Sequence, residues 1–243
     1  MSAPIRILAI SNYRPTIPAR PEAAAMIGLQ QAGAEVTIMT YGDAEWVPEF
    51  EKAGIRVIDF HPEKKWDRKA IRLIRDELRQ GQYDILHLFN SKAAVNGIQA
   101  AWSLPVKVVL YRGFTGHIHW YDPSLYFKYF SPRVDGIWCI AEAINELFSR
   151  QPTMPARKVF TINKGHHIHW YEGVEPLDLQ AEFDLPEDAF VLNCTANVRP
   201  MKGMPYLAEM INLIPPELPI YHLWVGKGMD HIDLLRAVSR GPN

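Results

Sequence analysis

The feature that most constrains this chain is an alternation. Short apolar runs of strand length are separated by segments with helical periodicity. The runs begin with Ile5-Arg6-Ile7-Leu8-Ala9-Ile10-Ser11 and Glu35-Val36-Thr37-Ile38-Met39-Thr40-Tyr41, and continue at 55–60, 84–90, 107–112, 135–141 and 158–163. Nearly continuous runs of this kind suit strands buried on both faces, hence a parallel sheet with helices on each side. Strand then helix, repeated, predicts a doubly wound, Rossmann-like α/β domain. A helix is expected over 20–32, with Pro21 near its start, where a missing N–H is harmless, and Gly33 just beyond its end.

The alternation breaks once. The segment 178–189 carries Asp178, Glu182, Asp184, Pro186, Glu187 and Asp188 with few apolar anchors, so a linker is expected near 172–188, dividing the chain into domains 1–175 and 176–243. The pattern then restarts, with a strand expected at 190–196, a helix at 203–214, a strand at 220–225 and a helix at 230–239. Two βα units cannot cover both faces of their own sheet, so the second domain is expected to be incomplete.

Composition narrows the function classes. With 48% hydrophobic residues, 22% charged and a net charge of -1 over 243 residues, the chain reads as an ordinary globular protein. Nucleic acid is excluded as its main partner, because no excess of positive charge is available to grip a polyanion. Cys139 and Cys194 sit inside apolar runs and suggest no disulfide framework. Met1-Ser2-Ala3-Pro4-Ile5-Arg6 lacks the charged-then-apolar pattern of an export signal, and no stretch is long and apolar enough to span a bilayer. A cytoplasmic protein is expected, either free or peripheral at the inner face of a membrane. The segment 64–79, an amphipathic helix with Ala70, Ile71, Ile74 and Leu78 inward and a basic outer face, reads as a solvated crossover helix or as a contact with anionic lipid.

In open parallel sheets ligands bind at the carboxyl ends of the strands, so the loops there carry the candidate chemistry. After the first strand come Arg14, Arg20 and Glu22; after the fourth, Asn90 and Ser91, one of which is expected to cap the next helix. After the fifth, Arg112-Gly113-Phe114-Thr115-Gly116-His117 pairs glycines that permit close approach with an arginine able to hold a phosphate or a sugar hydroxyl. The seventh leads to His166. An internal echo, His117-Ile118-His119-Trp120-Tyr121 and His167-Ile168-His169-Trp170-Tyr171, offers rings to line a crevice and a histidine to bond a sugar. No third-ligand spacing accompanies the histidines, so no metal is expected. The dinucleotide fingerprint G-x-G-x-x-G is absent, which argues against nicotinamide and flavin cofactors. The sharpest motif is Thr195-Ala196-Asn197-Val198-Arg199-Pro200-Met201-Lys202-Gly203, which puts two cations at a strand-to-helix turn, where helix N–H groups already favour an anion such as a diphosphate.

That motif, followed by Tyr206-Leu207 and His222-Leu223-Trp224-Val225-Gly226-Lys227-Gly228, resembles the start of the donor domain in glycosyltransferase family 4. Tyr83-Asp84-Ile85-Leu86-His87-Leu88-Phe89-Asn90 and Lys158-Val159-Phe160-Thr161-Ile162-Asn163-Lys164-Gly165 resemble its fourth strand and its segment before the interdomain link. The resemblance implies the GT-B fold and retaining, metal-independent transfer of a sugar from a nucleotide donor to a glycan or lipid-linked acceptor, as in surface-polysaccharide synthesis. It implies that Arg199 and Lys202 neutralise the donor diphosphate and that Gly203, Asn197 and Gly226 lie near the nucleotide. It places the acceptor against Arg14, Arg20, Glu22, Asn90, Ser91, His119 and His166, with His117 and Arg112 as the catalytic pair. The chain departs from the family in having Tyr13-Arg14-Pro15 for a Gly-Gly pair, Arg112-Gly113 where a histidine is common, and Asn197 at the commoner arginine position. The family's Glu-x7-Glu pair would lie beyond Asn243, so the resemblance implies a shortened donor domain and little activity from this chain alone. Two other readings stay open: a non-catalytic nucleotide- or sugar-binding module, and a nucleotide-sugar epimerase of the same architecture.

Overall fold

The structure, a computed structural model, describes residues 3–14, 16–199 and 202–231, with only the backbone of Thr16. The chain divides into two compact units, Met1–Trp170 and Tyr171–Asn243. In the first unit, β1 (Arg6–Ile10), β2 (Glu35–Thr40), β3 (Arg56–Asp59), β4 (Ile85–Leu88), β5 (Lys107–Arg112), β6 (Gly136–Cys139) and β7 (Val159–Thr161) form one sheet in the order β3-β2-β1-β4-β5-β6-β7. Every pairing is parallel, with Ile10 opposite Met39 on one side of β1 and opposite Leu88 on the other. Strand order reverses between β1 and β4, which opens a crevice at their carboxyl ends.

Alternation along the strands builds two cores. Leu8, Ile10, Leu86, Leu88, Val108, Leu110 and Ile137 pack with Ile74 and Leu78 of α3 (Arg68–Gly81), with Ala93 and Ile98 of α4 (Ser91–Ala100), and with Ile144 and Phe148 of α5 (Glu142–Ser149). The opposite face sends Ile7, Ala9, Val36, Ile38 and Trp138 against Ala23 and Met26 of α1 (Thr16–Gln31) and Phe50 of α2 (Val47–Lys52). The doubly wound Rossmann-like fold read from the sequence is therefore the fold observed.

Three local expectations change. Helix α1 begins at Thr16 rather than at 20, so Arg20 and Glu22 lie in its second turn rather than at its very start. Pro18 sits in the first turn, where a missing N–H costs nothing; Pro21 lies deeper and leaves the Ile17 carbonyl to solvent, which reaches that exposed residue. The acidic segment contains a short helix, α6 (Leu179–Phe183), because Asp178 caps it by accepting from the Gln180 and Ala181 N–H groups. In the basic segment α3 does form, capped by Asp67, but Arg75 turns back to donate to the Ala100 and Trp102 carbonyls and is withdrawn from the outer face.

In the second unit, β8 (Phe190–Thr195), α7 (Met204–Ile211) and β9 (Ile220–Val225) make one parallel βαβ unit, with Phe190 opposite Ile220. Met204 and Ala208 of α7 pack with Met229, Leu207 and Trp224. The helix expected at 230–239 falls, from residue 232 on, outside the described residues.

His87 is the oddest core residue, a buried imidazole with its ring 4.2 Å from Phe89 and 5.4 Å from Trp138. Its Nε2 has no hydrogen-bond partner, and burial pushes its pKa down to about 3. The unfolded chain therefore takes up a proton near the ordinary value of 6.5 that the folded chain refuses until about 3. Stability contributed by the neutral ring is complete above the unfolded value and is lost as pH falls through that window, by up to about tenfold in the folding constant per pH unit. His87→Phe is expected to flatten this limb, checked by urea midpoints measured between neutral pH and pH about 4.

Candidate functional site

The loops leaving the carboxyl edge of the first unit's sheet are held by long-range contacts. After β1, Tyr13 is buried against Phe50 and its N–H donates to the Thr40 hydroxyl, which fixes the loop. Arg14 then lies over the Tyr41 ring at 3.7 Å and bonds Asp43 at 2.8 Å, half exposed. Glu22, on α1, accepts from Lys164 Nζ at 2.9 Å, and the same ammonium reaches the Tyr111 hydroxyl at 3.1 Å. Both charged side chains are largely buried. Burial opposes the lysine charge, but the hydrogen bonds it donates to Glu22 and Tyr111 outweigh that, so the Lys164 pKa rises and the ammonium persists. Arg20 lies on the Trp170 ring at 4.4 Å, with His166 and His167 packed on the same indole. Lys164, His166, His167 and Trp170 line a groove between α1 and the loop after β7, with Pro21, Ala24 and Asn163 completing its walls.

Asn90 is the residue that caps α4, accepting from the Ala93 N–H, while its amide meets His61 Nε2 at 2.9 Å. Ser91 stands exposed at the first helical position. Arg112 is buried, and its guanidinium is committed to its own loop. It donates to the Phe114 carbonyl at 2.9 Å, to the Gly116 carbonyl at 2.6 Å and to the Tyr129 hydroxyl at 3.3 Å. Its place is therefore that of an organiser of residues 113–116 more than of an open cation. The loop turns through left-handed conformations at Gly116 and His117, leaving the His117 side chain exposed, while His119 stacks on Tyr121 at 5.0 Å. The internal echo is not a structural repeat, since Ile118 is 3% exposed and Ile168 is 82% exposed. Among the described residues no three His, Cys, Asp or Glu side chains converge on a common point.

The second unit presents a smaller constellation built from backbone. Past β8, the Ala196 N–H donates to the Val225 carbonyl and the Val198 N–H to that of Lys227, so the loops after β8 and β9 run side by side. Asn197 bridges them, its Oδ1 accepting from the Lys227 N–H at 2.9 Å. Gly226 makes this approach possible: a Cβ there would stand 1.9 Å from the Ala196 carbonyl oxygen, and its φ of 151° is one that side chains disfavour. Lys202 N–H closes a turn on the Arg199 carbonyl, and both side chains are exposed. Gly203, left-handed at φ 68°, leads into α7, whose first turn has no side-chain cap. Free N–H groups and two cations thus stand at one strand-to-helix turn, the arrangement an anion favours. The Lys164–Glu22–Tyr111 contact escaped the sequence reading because its charged partners are 142 residues apart; the one available signal was a lysine at a strand's carboxyl end.

Residues 24–165 match the family model described as the glycosyl transferase 4-like domain. No curated protein matches by sequence. A glycosyltransferase from Rickettsia africae is similar in structure, with a TM-score of 0.73 and 16% identity over 98% of this chain and 65% of that one. HepE of Anabaena in complex with UDP-glucose gives a TM-score of 0.69 with 15% identity, over 97% of this chain and 66% of its own. UDP-GlcNAc 2-epimerase from Methanocaldococcus jannaschii gives a TM-score of 0.57 with 12% identity, over 97% and 68% respectively. At such identities the likeness is one of fold, and the chain spans about two thirds of the length of these structures. The paired loops of the second unit depend on Gly226. Gly226→Ala is expected to destabilise that unit by about 1–3 kcal/mol, read by chemical denaturation, through carbonyl overlap and backbone strain.

Proposed function

We propose, from the premise that this chain belongs to the glycosyl transferase 4-like family, that it serves sugar transfer from a nucleotide-sugar donor to a glycan or lipid-linked acceptor, with retention at the sugar carbon. The observation that carries the reading is the turn with exposed Arg199 and Lys202 at the uncapped start of α7. In such a reaction the bond from the sugar carbon to the diphosphate breaks and the acceptor oxygen bonds that carbon. The acceptor's hydroxyl proton passes to a base, and the nucleoside diphosphate leaves with added negative charge. Two cations and free helix N–H groups stabilise that charge where it grows, the largest service a protein offers such a step. In this reading they take the role a metal plays elsewhere, and no cofactor is required.

For the acceptor side, the supporting geometry is the groove lined by Lys164, Trp170 and His166, behind which Glu22 bonds Lys164 and Arg20 lies on the Trp170 ring, so that charged hydrogen bonding adjoins an indole suited to a sugar ring. Exposed His117 and His119 are the candidates to receive the proton, with Arg112 holding their loop in shape. The likeness in fold to an epimerase supports a second reading, in which a nucleotide sugar is converted with no acceptor. Product analysis after incubation with the donor alone separates the two, since only the epimerase yields a new nucleotide sugar.

Calorimetric titration with UDP tests the donor role. Arg199→Ala and Lys202→Ala are each expected to weaken binding by about tenfold or more, the size of one lost charge-assisted hydrogen bond. Unchanged affinity in both variants removes the donor assignment.

A further inference from the structure

The loops leaving β3 and β5 display a cluster that the site above does not use. Trp66 is 48% exposed and packs edge-on against Phe127, itself 50% exposed, with ring centroids 5.0 Å apart. Tyr126, the next residue back, is also exposed, its hydroxyl donating to the Trp120 carbonyl. Lys64 and Lys65 immediately precede Trp66 in sequence and are exposed. Lys128 follows Phe127, and its pKa is lowered, first by burial and then by the positive charge of Lys65, which places the two ammonium groups within electrostatic reach of each other.

Holding Trp66 outward takes construction. Its backbone is left-handed, with φ 60°, a conformation that bulky residues rarely adopt. The buried Asn96 fixes the segment from below. Its amide donates to the Lys64 carbonyl at 2.7 Å and the Lys92 carbonyl at 2.9 Å, and its Oδ1 accepts from the Asp67 N–H at 2.8 Å. A core asparagine with three hydrogen bonds thus presents an indole to solvent between cations. Glu63 is paired with Lys92, while Asp67, which caps α3, and Asp122, which accepts from the Ser124 N–H, keep their negative charges; Lys64, Lys65 and Lys128 outnumber them, so the patch is net positive.

We propose that Lys64, Lys65, Trp66, Tyr126, Phe127 and Lys128 form a docking surface for an anionic lipid bilayer. Indole and phenol rings settle at the headgroup boundary, where an apolar body and a polar edge are both satisfied, and lysines beside them meet anionic headgroups. The contact is peripheral: no helix among the described residues is long and apolar enough to cross a membrane. It takes up the first three residues of the basic segment 64–79 and not its helix face, since Lys64, Lys65 and Trp66 precede α3, Lys128 comes from the other loop and the aromatic pair supplies the apolar anchor. The proposal rests on the reading above in one respect, that a transferase docked in this way meets a lipid-linked acceptor at the bilayer.

Flotation with phosphatidylcholine vesicles, with or without a third of phosphatidylglycerol, tests it on the full chain without any sugar donor, so that failure of lipid binding and failure of UDP binding are separate results. The chain is expected to float with the anionic vesicles, less so at high salt, and not with the neutral ones. Trp66→Asn, whose replacement tolerates a left-handed backbone, combined with Phe127→Ser is expected to reduce partitioning at least tenfold with UDP affinity unchanged. Lys64→Glu and Lys65→Glu are each expected to reduce it about fivefold. Equal partitioning of parent and variants, no flotation of the parent, or a patch-dependent dimer in vesicle-free sedimentation velocity each overturns the proposal; the last would assign the surface to a second copy of this chain.

Discussion

A parallel ladder obliges the chain to travel back across the sheet before each new strand can begin, and most of this structure follows from that obligation. The return paths are helices, so both faces are covered and both must be apolar. That is why Leu8 and Ile10 serve one core while Ile7 and Ala9 serve the other. Every strand also ends at the same edge. The loops after β1, β4, β5 and β7 therefore leave from one edge, where a few anchors such as Tyr13 and Ile118 turn into the core and the remaining positions are open to polar chemistry.

What the sequence made legible follows the same division. Strand positions could be read because a run such as Val108-Val109-Leu110 is apolar at consecutive residues, which suits burial on both faces and little else. The start of α1 could not, since Pro18 and Pro21 signal a loop or a first turn equally well until the helix is seen to contain them. The cations at 199 and 202 were identifiable from a strand end followed by glycine. Arg112 has the same local signature, yet its guanidinium closes on the Phe114 and Gly116 carbonyls, because an arginine near a ligand and one beside bent backbone read alike in one dimension. The repeated His-x-His-Trp-Tyr string shows the converse: identical residues in two loops, with one isoleucine inside and the other outside.

The two candidate edges are organised by different physics. In the second unit, backbone groups and glycines do the positioning, and the charges are left in solvent where a polyanion can reach them. In the first unit, side chains are locked by one another: Lys164 between Glu22 and Tyr111, Arg20 on Trp170. The former arrangement suits charge that changes during a reaction; the latter suits a fixed shape that selects what enters.

The Lys164–Glu22 pair has a bearing on how the protein is made. Glu22 leaves the ribosome long before Lys164, and every strand from β2 to β7 must be added in between. Throughout that interval α1 carries a carboxylate without its counter-ion at a place destined to be largely buried, which disfavours early closure of the groove. The groove is thus among the last features of the first unit to mature during synthesis, and a nascent chain halted before β7 would hold most of its apolar core but not this groove.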